Sequence, residues 1–162
     1  MVKLDIGCGD AKAKDVIGLD MRKTSYVDVV ADARKLPFKN GCFDHVFSSH
    51  LIEHFSHRDV QNVLSEWIRV LDLGGTLEIK CPDLRIRAVF YALDPSWKNI
   101  QNIYGEQDYV GNQHLCGFCF GSLKSLLEAN GISNVKRVLD GFKGIPFLPN
   151  CLHVQGKKEK NS

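Results

Sequence analysis

Along the first half of the chain, apolar residues come in short runs closed by glycine, proline or aspartate. Lys3 to Ile6 ends at Gly7, Val16 to Leu19 at Asp20, and Val27 to Ala31 at Asp32. Phe43 to Phe47 follows the turn Lys39-Asn40-Gly41, and Thr76 to Cys81 stops at Pro82. Runs rich in valine, isoleucine and leucine, punctuated this way, predict strands of a parallel sheet buried on both faces.

Between the fourth and fifth runs the period lengthens. Val60, Val63, Leu64, Trp67, Ile68 and Leu71 fall on one helical stripe, with Ser56 and Asp59 in capping-box spacing before it and Gly74-Gly75 as its stop. A second helix is predicted over Ser122 to Ala129, ended by Asn130-Gly131. Residues 135–139 and 151–157 read as two late strands, joined by a loop that carries Pro146 and Pro149. Strands separated by amphipathic helices predict an α/β three-layer domain over residues 1–158, with 159–162 a frayed tail.

Composition narrows the function classes. At 162 residues, 44% apolar and 25% charged, the chain is one ordinary globular domain. A net charge of +2 does not call for nucleic acid. No apolar run approaches the ~20 residues of a membrane span, and a cytoplasmic protein is expected. Cys116-Gly-Phe-Cys119 has CxxC spacing, with His114 just before it, but a zinc site wants further ligands. Buried free thiols are the simpler assignment for the six cysteines, and no metal site is assigned.

In parallel sheets ligands bind beyond the carboxyl ends of the strands, which directs attention to Gly7-Cys8-Gly9, Asp20, Asp32, Ser48 to His50, and Cys81 to Asp83. Gly7 and Gly9 let the backbone approach a ligand closely. A dinucleotide loop would want a third glycine at position 12, where Lys12 stands, and an acid ~20 residues on, whereas Asp20 follows Gly9 by 11. An NAD(P)-dependent oxidoreductase is therefore disfavoured, and no Gly-Lys-Ser/Thr supports a phosphate loop. A nucleoside without a pyrophosphate remains: Asp20 can accept from a ribose diol and Asp32 from an exocyclic amine. The competing assignment is that both aspartates only cap turns.

These motifs, in order, resemble the class I S-adenosylmethionine (SAM)-dependent methyltransferases, of the small type-11-like kind. LDIGCG resembles their first motif and GLDM the acidic strand end that binds ribose. DVVADARKLPFKNGCFDHVFSSHLIEHF, LSEWIRVLDLGGTLEIKCPD and GFCFGSLKSLLEANGI are similar to the segments that follow. The resemblance implies a Rossmann-like sheet of order 3-2-1-4-5-7-6 with strand 7 antiparallel, here trimmed of N-terminal helices. It implies SAM as cofactor, with Asp5, Gly7, Cys8 and Gly9 at its methionine and ribose end. Asp20 would hold the ribose with Met21 beside the adenine, Asp32 and the Ala33 backbone would read the adenine edge, and Ser49 and His50 would lie near the sulfonium.

Methyl transfer is an in-line displacement, and an oxygen nucleophile also needs a base, for which His114 or His50 is suited, oriented by Glu53 or His54. Where amino-methylating nucleic-acid enzymes of the class carry Asn/Asp-Pro-Pro-aromatic, this chain has Ser48-Ser49-His50-Leu51. The insert between Asp83 and Gln113 is short, which favours a small metabolite or sugar hydroxyl as acceptor. The departure is the first crossover. Cys8 to Asp15 is too short for the usual helix, although eight extended residues span ~26 Å and so can retrace a strand. The face left bare is expected to be covered by a second copy or a partner subunit. A catalytically idle SAM-fold subunit that stabilises a partner is the alternative function. Lys12, Lys14 or Arg22 is a candidate to hold the methionine carboxylate.

Overall fold

The computed structural model describes residues 1–138 and 151–159. Seven strands form one sheet: β1 (Lys3–Ile6), β2 (Ile17–Asp20), β3 (Val29–Val30), β4 (Phe43–Ser49), β5 (Leu71–Pro82), β6 (Ile132–Arg137) and β7 (Cys151–Lys158). Their order is β3-β2-β1-β4-β5-β7-β6, with β7 antiparallel to both neighbours and the first five strands parallel. Helices are α1 (Val60–Val70), α2 (Leu84–Leu93), α3 (Trp97–Tyr104) and α4 (Phe120–Ala129), with a 3-10 turn at Ile52–His54. The implied strand order and the antiparallel seventh strand are both present.

One face of the sheet holds the core. Leu4, Ile6, Val46, Leu77, Ile79, Leu152 and Val154 point into it and meet the stripe of α1 and Leu123 and Leu127 of α4. Trp67 is fully buried there, and its indole N–H donates to the Ala33 carbonyl at 3.0 Å. Burying such a side chain stabilises the fold by about 3 kcal/mol.

The other face is different. Along β5 burial alternates, Leu77, Ile79 and Cys81 inward against the partly exposed Thr76, Glu78 and Lys80. That alternation belongs to a sheet wetted on one side. Glu78 there bridges His45 of β4 at 2.9 Å and His153 of β7 at 2.6 Å. The expectation of strands buried on both faces fails at β5, because these positions carry charge and hydrogen-bond in the plane of the sheet.

Over β1 and β2 that second face is covered by loops. No helix lies before Val60 among the described residues, and β1 passes to β2 without one. Gly18 makes this cover fit: a Cβ there would lie 2.7 Å from the Tyr26 carbonyl oxygen, 2.8 Å from Cys8 Sγ and 2.9 Å from Lys12 Cδ. Lys12 and Asp28 pair across the two loops, and Asp28 also accepts from the Gly18 amide at 2.8 Å. Lys12, considered for the methionine carboxylate, is paired with Asp28.

Several boundaries shift. The first helix ends at Val70, and Gly74-Gly75 lies inside β5, where the register against β4 jumps from Phe43↔Leu71 to His45↔Thr76. Ser56 Oγ donates to Asp59 Oδ2 at 2.7 Å, and no side-chain cap reaches the α1 amides. β3 shortens to two residues as the Asp28 carboxylate turns to Gly18. α4 starts at Phe120 because Cys119 and Ser122 cap each other, and β6 starts at Ile132, directly after Gly131. Helices α2 and α3 have no counterpart in the periodicity reading; α2 buries only Ile86 and α3 buries nothing. The loop with Pro146 and Pro149, and all but Glu159 of the tail, lie outside the described residues.

Candidate active site

Strand ends converge on a hollow of about 340 Å³ bordered by Gly7, Gly9, Asp20, Asp32, His50 and His54, with Met21 and Ala33 also on its wall. Gly7 sits at φ +76°, where glycine is favoured, and a Cβ on it would strike Leu51 at 2.8 Å. Asp20 ties the glycine loop together: Oδ2 accepts from Gly9 N at 3.0 Å and Oδ1 from Arg22 N at 2.8 Å. Each oxygen keeps a second lone pair for a diol. The turn-capping assignment is therefore correct for Asp20 and leaves its ligand capacity intact.

Asp32 differs. Its carboxylate accepts from the Arg34 amide at 2.8 Å, from Nε at 3.0 Å to both oxygens, and from Nη2 at 2.7 Å. The Arg34 guanidinium holds that carboxyl below the usual range and occupies the atoms expected to read an amine. The Ala33 carbonyl is taken by Trp67, so the core helix fixes this loop from beneath.

The remaining cofactor residues sit in an adjoining hollow of about 410 Å³ that shares Gly7. Asp5, Cys8 and Ser49 border it together with Phe47 and Lys12. Burial and the nearby Asp20 push the Asp5 carboxyl up to about 6, opposed by Lys12, and burial pushes the Cys8 thiol up to about 11.

Beyond β4 the chain turns through His50, a non-glycine residue at φ +53°, with its amide bonded to the Lys80 carbonyl at 2.9 Å. Such strain is held where surrounding structure over-determines it. His50 Nε2 lies 3.6 Å from Cys151 Sγ, and Nδ1 lies 3.3 Å from Glu53 Oε1. Cys151 and then Glu53 push the His50 pKa up to about 10, while His50 draws the Cys151 thiol below its ordinary value. A charged imidazolium is no base at neutral pH, so this geometry turns the base role away from His50.

His114 keeps the opposite state. Burial lowers its pKa, and Nδ1 lies 3.0 Å from the Ile103 carbonyl, so it carries the proton and leaves Nε2 a lone pair. His54 repeats the arrangement with Nδ1 3.1 Å from the Gln113 carbonyl, and the two rings stand edge to face at 5.1 Å. Glu53, His114, Arg87 and Cys116 border a third void of about 10 Å³, room for one water. The structure thus brings all four candidate catalytic residues to one wall, with His50 and His54 on the first hollow and Glu53 and His114 behind it.

Sequence reasoning missed Cys151, Arg34 and the residues Val110 and Gly111, which border the first hollow beside Tyr109 of the aromatic segment before His114. None had a local signal, since each acts through a contact distant in sequence or on an irregular loop. All six cysteines are free, but only Cys8 and Cys81 are buried; Cys116 and Cys119 are half-buried and Cys42 is exposed. No helix of the described residues is long and apolar enough to cross a membrane.

A sheet of this order, with a glycine loop and two strand-end acids around one hollow, has the Rossmann-like methyltransferase fold. Residues 4–79 match the profile of a methyltransferase domain family. A SAM-dependent methyltransferase from Thermotoga maritima superposes with a TM-score of 0.67 at 19% identity, over 98% of this chain and 82% of that one. The complex between the Haloferax volcanii Trm112 methyltransferase activator and a methyltransferase gives 0.66 at 16% identity, over 98% and 83%. The Burkholderia thailandensis 1,6-didemethyltoxoflavin-N1-methyltransferase, bound to its substrate and S-adenosylhomocysteine, gives 0.65 at 14%, over 98% and 71%. No curated protein matches the chain. The chain has the fold of the SAM-dependent methyltransferases, and its residues 4–79 are similar to a methyltransferase domain.

Proposed function

We propose that this cytoplasmic enzyme methylates a hydroxyl of a small metabolite or sugar. The observation that carries the reading is the neutral imidazole of His114, packed edge to face on His54, which borders the cofactor hollow. A sulfonium needs no help to leave, so chemistry of this kind asks for positioning and, for an oxygen nucleophile, a proton acceptor. Nε2 of His114 and His54 supplies that acceptor, and a hydroxyl is the common acceptor group that must shed a proton to attack. Asp20 holds the ribose, Gly7 and Gly9 approach the cofactor backbone to backbone, Met21 and Ala33 border the adenine, and Asp5, Cys8 and Ser49 line the methionine end. Tyr109 to Gly111 border the hollow on the side open to an acceptor.

The open face of the sheet favours a second reading, in which a second copy or a partner subunit docks there. Its Glu78, His45, Lys80 and His153 would suit a polar interface. The extreme form, an idle subunit, predicts no SAM binding. Calorimetry with SAM decides that point. Incubating the protein with SAM and a panel of sugars and hydroxylated metabolites, and reading a mass gain of one methylene, tests the acceptor. Gain only on amines or thiols overturns the hydroxyl assignment.

A further inference from the structure

The Glu53 carboxylate is 2% exposed, and neither oxygen has a hydrogen-bond partner among the described residues. Among the described residues its one charge contact is the His50 Nδ1 at 3.3 Å from Oε1. A buried carboxylate with no hydrogen bond is under-satisfied at a cost of several kcal/mol, and a further partner is expected. A carboxylate oxygen of Glu53 and a ring nitrogen each of His54 and His114 lie within 4.8 Å of one another. Both imidazoles direct Nδ1–H to a backbone carbonyl, Gln113 for His54 and Ile103 for His114. That second contact is what fixes a metal-binding histidine in its tautomer and orientation and leaves Nε2 to ligate. A carboxylate and two imidazoles therefore face one another with ligand atoms in reach of one ion.

We propose that Glu53, His54 and His114 form a binding site for a divalent transition metal of the zinc class. Two imidazoles and a carboxylate are the donor set of open zinc sites, which keep a fourth position for water or substrate. The ligand atoms must draw in by about 1 Å to reach bonds near 2.1 Å, a change within side-chain rotation. His54 also borders the first hollow, so the fourth position is reachable by an acceptor oxygen. With the ion bound, the Nε2 lone pairs are spent on the metal, which then lowers the pKa of a ligated hydroxyl in place of direct proton uptake. One charge opposes the site: the Arg87 Nε, also buried without a partner among the described residues, borders the same small void as Glu53 and His114.

The test is titration of chelator-stripped full-length protein with Zn²⁺ by calorimetry, and with Co²⁺ by visible absorption. One ion per chain in the micromolar range or tighter is expected, with the visible bands of cobalt in a low-coordinate nitrogen–oxygen site. Glu53→Gln and His114→Gln should each weaken Zn²⁺ binding at least 10-fold while SAM binding, read in parallel, reports that the variant is folded. No saturable binding to the wild-type protein overturns the site and leaves a water between Glu53 and Arg87 as the occupant. Undiminished binding in both folded variants overturns it as well. Because neither titration needs an acceptor, the metal stands or falls independently of the hydroxyl reading.

Discussion

Replacing Asp20 with asparagine removes one charge with almost no change in shape. The side chain is 12% exposed, so solvent does little to compensate. In the wild-type protein its two oxygens accept from Gly9 N and Arg22 N at 3.0 and 2.8 Å. Asparagine offers a single acceptor oxygen, so one backbone N–H is left facing an amide N–H. Leaving one such donor unpaired costs about 1–3 kcal/mol. For a chain of this size that lowers Tm by roughly 2–12 °C. The cofactor loses more. Two charge-assisted bonds to a ribose diol become one neutral bond, a loss of about 2–4 kcal/mol, or roughly 30- to 700-fold in Kd. Scanning calorimetry gives the first quantity and titration with SAM the second. A folded Asp20→Asn protein whose SAM Kd stays within about 3-fold of wild type would refute the ribose assignment, because the loop bonds alone cannot absorb the lost charge.

Two further outcomes follow from other contacts. Arg34→Gln frees the Asp32 carboxylate from its guanidinium fork, an exposed pair worth at most about 1 kcal/mol, so SAM affinity should rise by up to about 5-fold; weaker binding would mean that Arg34 itself touches the cofactor. The carboxyl of Glu78 is held below the usual glutamate range, chiefly by its bond to His45 and then by His153. Its folded pKa lies under the unfolded value of about 4.3, so its contribution is present above that pH and is lost as pH falls through the folded pKa. The Tm difference between wild type and Glu78→Gln should stay level from pH 7 to about 5 and shrink below about 4, and a flat difference down to pH 3 would remove Glu78 from the account.

Much of the fold was legible because its signals are local. The short runs ending at Gly7, Asp20 and Asp32 encode strands and a ligand loop within a few residues of each other, and the stripe from Val60 to Ile68 encodes a helix by period alone. Strand order came from resemblance of the ordered motifs, and the sheet has it. Asp20 borders the first hollow, since a strand-end acid needs only its own strand to aim it. Other properties depend on partners far along the chain. Ala33 is held by Trp67, 34 positions away, and His50 meets Cys151, 101 positions away, while Asp32, which looks like Asp20 in sequence, is claimed by Arg34 only two positions on.

What the sequence by itself determined was the element pattern, the glycine loop and the strand-end acids, since each is written in spacing along one strand and its turn. Only the tertiary structure decided which histidine stays neutral. His50 is charged by its neighbours Cys151 and Glu53, His114 is kept neutral by burial, and Glu53 is buried beside two imidazoles without a hydrogen bond among the described residues. Protonation follows the local field and the loss of water, and both are set by side chains that meet only when the chain has closed.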